Sequence, residues 1–337
     1  MSTPTTVGVP EEMIEADRWV EGPGFFTLLG RRTRSNLPLL VGVGMLAVFV
    51  AVGISAAVVY AGHLTDLPIN IAVGLERPPP GPSWAYPFGV MGTSGADIAQ
   101  ALYQATPIDL ALIGGPILLA LAIGTTVGAY AGLATGRVDG LVTTAADLVV
   151  GVPSFFLVVV LYLGIVYFIP PPYRLIVFAA MFVIVLWPYY ARGVRTVARY
   201  VSRSDYVEVA KLAGAGNGRL LRQHVIPNSF APALAQIPAD IFTIFFVLTV
   251  FPFLNCFGSN GVSQVFQLIS PLPNPSYYPE WGALLATGAC AGWSPFPAEN
   301  YWWMYTFPAL VIVLFGIAVA LTADGIQRLL QPRPRQS

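Results

Sequence analysis

Six stretches of this chain carry few charges and run longer than the about 20 apolar residues that a helix needs to cross a bilayer: 38–62, 108–133, 141–168, 174–195, 230–254 and 301–323. The chain is 55% hydrophobic and only 10% charged, whereas soluble domains are about a quarter charged. A soluble enzyme and a nucleic-acid binder are both excluded by this distribution. The expected fold is an all-α polytopic membrane protein with six transmembrane helices.

Loop charges set the orientation. With both termini in the cytosol, 15 of the 17 Lys and Arg residues are cytosolic, and only Arg77 and Arg174 lie outside. Cations resist translocation, so a bias this steep decides topology. Residues 1–37 then form a cytosolic segment without a signal-peptide core, 38–330 the membrane domain, and 331–337 a cytosolic tail. Two segments face outward. Residues 63–107 hold a proline-rich stretch and then a short helical pattern near 94–105, while 255–300 are rich in proline, glycine and interfacial aromatics such as Trp281 and Trp293. Residues 196–229 form a long cytosolic loop.

Within the spans, Asp147 and Asp240 are the ionisable residues that stand out. Asp147 can cap freed backbone amides or pair with an arginine, and a proton relay would need further titrating partners. Pro153 and Pro188 each remove a helix hydrogen bond and are expected to bend their spans. Gly124, Gly128 and Gly132 recur every four residues, a spacing that puts them on one helix face and lets another backbone come close. Cys256 and Cys290 are the two cysteines, both in the second external segment. They either form a disulfide, which the oxidising side of a prokaryotic membrane permits, or remain small buried thiols. His63 and His224 fall on opposite sides of the membrane, so no metal site is expected. The phosphate-binding G-x-x-x-x-G-K-[ST] pattern is absent, because the single lysine, Lys211, precedes Leu212. Any nucleotide energy must come from another chain.

The most informative stretch is 203–228, RSDYVEVAKLAGAGNGRLLRQHVIPN. Asp205 and Glu208 have the spacing of a capping box and predict a helix start. Gly214 and Gly216 predict its stop, Asn217 a second short helix, and Pro227 the end of that one. Val209, Leu212 and Ala213 give the first helix an apolar face, with Tyr206 and Ala210 on a neighbouring strip. Composition alone also fits an amphipathic helix resting on anionic lipid.

Glu208-Val209-Ala210, then Gly214, then His224-Val225-Ile226-Pro227 resemble the EAA loop of ABC-importer permeases, in its dipeptide and oligopeptide branch. The likeness extends along the chain. Asp147 and Pro153 resemble the D-x-x-x-x-x-P of the third span, Phe253-Leu254 and Gly258 the S-F-L-G-x-G after the fifth, and Trp281-Gly282 the external W-G-x-M-L. The tail from Asp324-Gly325 to Pro332-Arg333 is similar to the closing motif of the C-type subunit. The chain departs outside the membrane, where Ala96, Ala101 and Pro107 stand in a region usually rich in arginine.

The resemblance implies a type I importer permease, a non-catalytic subunit of the prokaryotic cytoplasmic membrane that forms half of a translocation path for peptides. Its implied partners are a second homologous permease, two cytosolic ATP-binding subunits that hold the ATP and magnesium, an extracytoplasmic substrate-binding protein, and membrane lipid. Asp205, Tyr206, Glu208, Ala210, Gly214, His224 and Pro227 would couple to the ATPase. The same machinery could import oligosaccharides or nickel complexes. A stand-alone ion-coupled carrier is the alternative from another class.

Overall fold

The computed structural model describes residues 36–63, 79–91, 95–133, 137–165, 168–170, 173–212, 214–221, 226–252, 280–290 and 301–330. Among them the helices run α1 (Leu37–Val59), α2 (Ile98–Leu133), α3 (Arg137–Val150), α4 (Ser154–Ile165), α5 (Arg174–Ser202), α6 (Asp205–Leu212), α7 (Asn217–Leu220), α8 (Ile226–Val250), α9 (Trp281–Cys290) and α10 (Trp303–Leu330). An isolated bridge between Val90 and Asp97 is the β-pairing among the described residues.

Helices α1, α2, α5 and α10 are each long and apolar enough to cross a membrane. The pair α3–α4 makes a fifth crossing if it is one span, but its axis turns by 92°. Helix α8 adds a shorter apolar stretch, Ala235–Val250. The picture therefore differs from six uninterrupted spans. At Pro153 the chain breaks rather than bends: the Gly151 amide closes α3 on the Asp147 carbonyl at 2.9 Å, and the Leu157 amide opens α4 on the Pro153 carbonyl at 3.1 Å. A glycine two residues before a proline removes both the side-chain packing and the hydrogen bond that would hold a helix through a kink. Pro188 has no such neighbour, and α5 continues through it.

Helix α2 departs in the opposite sense. The short external helix and the second span fuse into one 36-residue helix that runs through Pro107 and Pro116. Ala105, Thr106, Asp109 and Pro116 are buried, so packing on either side holds the helix across each missing bond. At 1.5 Å per residue its length is about 54 Å, well beyond a hydrocarbon core of about 30 Å. Helix α9 lies in the second external segment, where no helix was expected.

Close backbone contacts organise the bundle. A Cβ on Gly124 would lie 2.6 Å from Tyr190 Cβ, one on Gly128 2.7 Å from Ala191 Cα, and one on Gly132 2.8 Å from the Arg195 carbonyl. The glycine face of α2 is thus the surface on which α5 lies. Helices α1 and α10 meet in a similar way, with a Gly325 Cβ position 2.6 Å from Leu39 Cα and the Asn36 side-chain amide donating to the Gly325 carbonyl at 2.7 Å. Apolar side chains on outer faces, such as Val58 and Leu118, are exposed because lipid is their solvent. Cys256 and the Cys290 side chain lie outside the described residues, and so does the question of their pairing.

Overpacking at such a contact costs about 1–3 kcal/mol. Gly128→Val is expected to lower the thermal midpoint of the detergent-purified protein. Gly114→Ala on the same helix, where nothing lies within 4 Å of the added carbon, should leave it unchanged or raise it.

Candidate coupling site

Helix α5 runs out of the bundle into the 196–229 loop. The Ser204 amide bonds to the Val201 carbonyl, and the Ser204 carbonyl then accepts from Val207 at 3.0 Å and Glu208 at 3.1 Å. Ser204 is therefore the N-cap residue of α6 through its carbonyl, while its hydroxyl donates backwards to Val201 at 2.6 Å. This moves the helix start by one residue from the expected box: Asp205 is the first helical residue, a position where a negative charge suits the helix dipole.

Helix α6 stops at Leu212, and Gly214 follows with φ +83°, a conformation that glycine adopts without penalty. The Gly216 carbonyl accepts from Arg219 and Leu220, which opens α7. The helix–turn–helix of the sequence is present, but its end differs. Pro227 does not close the second short helix; it lies in the first turn of α8, where a missing amide costs nothing. His224 lies outside the described residues, as do the side chains of Asp205, Tyr206, Ala210 and Pro227.

Two apolar residues hold this unit to the bundle: Val207 and Leu220 are fully buried. Val209 is 64% and Leu212 84% exposed. At 100° per residue these two lie opposite Val207, so the unit turns an apolar face outward. Gly214 has open space around its Cβ position, and its φ, not crowding by its own chain, is what calls for glycine there.

An ionic ladder stiffens the arm that carries the unit. Asp139 on α3 accepts from Arg195 through both oxygens, with the Nη2–Oδ2 bond at 3.1 Å, and also from Arg199. Asp147 pairs with Arg192 at 3.5 Å, both side chains half exposed, so of its two expected roles the arginine pair is the one seen. Asp139 was not singled out from the sequence. Its signal was spacing: acids eight residues apart on one helix face arginines at 192, 195 and 199 on another.

A second site, on the outer side, was missed. Asp109 is an acid inside the second apolar stretch, and Glu280 precedes Trp281-Gly282; both are about 2% exposed. Glu280 accepts from the Gly282 and Ala283 amides at 2.9 and 2.8 Å, and Asp109 accepts from the Trp281 amide at 3.0 Å. The otherwise orphaned amides at the start of α9 are satisfied by two carboxylates from distant parts of the chain. Burial pushes the Glu280 carboxyl above its usual range, against the pull of the two amides. Trp281 packs against Phe49 and Phe315, with ring centroids 5.6 and 5.3 Å away. Gly282 and Gly288 let α9 press on the backbones of Thr249 and Met304. Among the described residues no three His, Cys, Asp or Glu side chains gather as a metal would need.

Residues 124–336 match the family described as binding-protein-dependent transport system inner membrane components. The chain belongs to this family. The matched region begins at the first glycine of the α2 face and takes in both arms and the whole 196–229 loop. The chain is 29% identical over 228 residues, 66% of each chain, to the probable D,D-dipeptide transport system permease protein DdpC of Escherichia coli K12. It is 28% identical over 246 residues, 72% of each, to the di/tripeptide transport system permease protein DppC of Pseudomonas aeruginosa UCBPP-PA14. To the oligopeptide transport system permease protein OppC of Bacillus subtilis 168 it is 26% identical over 310 residues, 90% of this chain and 88% of that one. As a family member the chain is a multi-pass inner-membrane permease component, not itself a catalytic enzyme.

Glu280→Ala would leave two buried amides without acceptors, at a cost of about 1–3 kcal/mol. The expected result is a lower thermal midpoint together with faster amide exchange confined to α9, read by hydrogen-exchange mass spectrometry.

Proposed function

We propose that this chain is one of two permease subunits of an ATP-driven peptide importer, with α6 as the helix that docks on a cytosolic ATPase. The observation that carries this reading is the outward apolar face of Val209 and Leu212 on a short helix clamped by Val207 and Leu220. An exposed apolar face below the membrane needs a cover, and the family matched by the chain works as part of a multi-component transport system. The relatives are named for transport of D,D-dipeptides, di- and tripeptides and oligopeptides, which supports peptides as the cargo class.

In this proposal α8 and the bent α3–α4 pair complete six crossings, and both termini lie in the cytosol. Two ATP-binding subunits hold ATP and magnesium and close on each other during hydrolysis. Their closure moves α6, and the stiff arm α5 passes the movement into the bundle, switching it between inward- and outward-open states. An extracytoplasmic binding protein delivers the peptide. Glu208 and Asp205 set the helix start, Tyr206 and Ala210 lie on its docking side, Gly214 makes the turn, and His224 and Pro227 lead the chain back into α8.

Leu212→Glu changes an 84% exposed residue, so the expected effect on stability is within about 0.5 kcal/mol. Peptide uptake by the assembled complex is expected to fall at least tenfold. Gly214→Trp is expected to insert normally and to hydrolyse ATP without transport; normal uptake by either variant would remove α6 from the coupling path. Purification from the native membrane in mild detergent tests the assembly directly. A homologous permease and P-loop ATPases should come with the chain, whereas a chain that purifies alone and moves solute without ATP would point to an ion-coupled carrier.

A further inference from the structure

Asp240 lies in the apolar stretch of α8 and is 1% exposed. An ionisable side chain in such a place is costly and asks for a reason. One carboxyl oxygen is satisfied along the helix, where Gln236 Nε2 donates to Oδ1 at 2.9 Å. The other oxygen has no hydrogen-bond partner among the described residues, and neither has the Tyr190 hydroxyl on α5. These two groups interact electrostatically across the seam between α5 and α8, yet the bond between them is not closed.

Their placement is not incidental. Tyr190 is 1% exposed and is backed by Gly124, whose added Cβ would lie 2.6 Å from the Tyr190 Cβ. The tyrosine cannot withdraw without separating α2 from α5. Helix α5 leads into the coupling unit and α8 leads out of it. Tyr190 lies 12 residues before the end of α5 at Ser202, and Asp240 lies 14 residues after the start of α8 at Ile226. At 1.5 Å per residue those are heights of about 18 and 21 Å, so the pair joins the two arms at one level. A movement of the loop that rotates one arm against the other changes this gap first.

We propose that Tyr190 and Asp240 form a polar joint, open in this state and hydrogen-bonded in the other state of the transport cycle. Turning the coupling unit then makes or breaks one bond deep in the bundle. Both are positioning residues, since neither touches nucleotide. A bond between buried polar groups is stronger than one in water, and two such groups left apart are penalised. The joint therefore gives the two arrangements of the arms distinct energies, as a two-state element requires. This inference rests on the importer reading above.

The test uses the complete importer in nanodiscs, with its partner permease, ATPases and binding protein. Tyr190→Phe removes only the hydroxyl, and Asp240→Asn keeps the shape of the carboxyl. Each is expected to change the ratio of binding-protein-stimulated to basal ATPase activity by about fivefold or more, a range typical of coupling energies. The double variant should be no further altered than the stronger single one. An unchanged ratio, or effects that multiply independently, would overturn the joint. A cysteine pair at 190 and 240, with Cys256 and Cys290 replaced, gives a second readout that does not depend on activity. Cross-linking should be faster in one nucleotide state than in the other, and equal rates in both would overturn the proposal. If the wild-type complex shows no stimulated ATPase activity, it is the importer reading that has failed and not the joint.

Discussion

The contact between α2 and α5 is the one on which the rest of the bundle depends. Three glycines in register remove the side chains that would keep the two helices apart, and backbone atoms of Tyr190, Ala191 and Arg195 fill the space. In lipid no hydrophobic force drives helices together, so close packing of this kind is what holds them. Everything at the cytosolic side hangs on α5: the arginines that grip α3, Tyr190 at the seam with α8, and the turn at Ser204 from which α6 starts. A change at Gly128 is thus a change to the mounting of the coupling unit.

The same long helix reaches the other side. Asp109, near the outer end of α2, accepts from the first amide of α9, while Gly132, near its inner end, lies against Arg195 of the coupling arm. One rod therefore touches both the outer wedge and the cytosolic lever. The wedge is held by paired acids at its start, by an aromatic trio of Phe49, Trp281 and Phe315, and by glycine contacts to α8 and α10. Each of these is a fixed, directional contact, which suits an element that moves as a body.

Much of the coupling unit was legible in the sequence because its signals are local. Glycine at a positive φ, a polar helix start and a short amphipathic run are decided within a few residues, and α6, the Gly214 turn and α7 follow from them. The glycine face of α2 was legible as a face, although its partner was not. Asp139, Asp109 and Glu280 escaped because the meaning of each lies in a residue dozens or hundreds of positions away. Two prolines misled in opposite directions. Pro107 reads as a helix boundary but is overridden by burial on both flanks, and Pro153 reads as a kink but joins Gly151 in a full break. Pro227 looked like a stop and is a start, because a proline in the first turn of a helix lacks only an amide that would have no partner there.

The sequence by itself determined that this chain lives in a membrane, which loops face the cytosol and where its coupling unit lies. Those properties depend on the transfer of residues between water and lipid and on local backbone preference, and both can be read in one dimension. Only the tertiary structure decided which acid meets which arginine, that α3 and α4 turn sharply, that a helix fills the outer segment, and that Tyr190 faces Asp240. Those outcomes depend on the close approach of helices distant in sequence, where the fit of side chains and the need to satisfy buried polar groups are settled together.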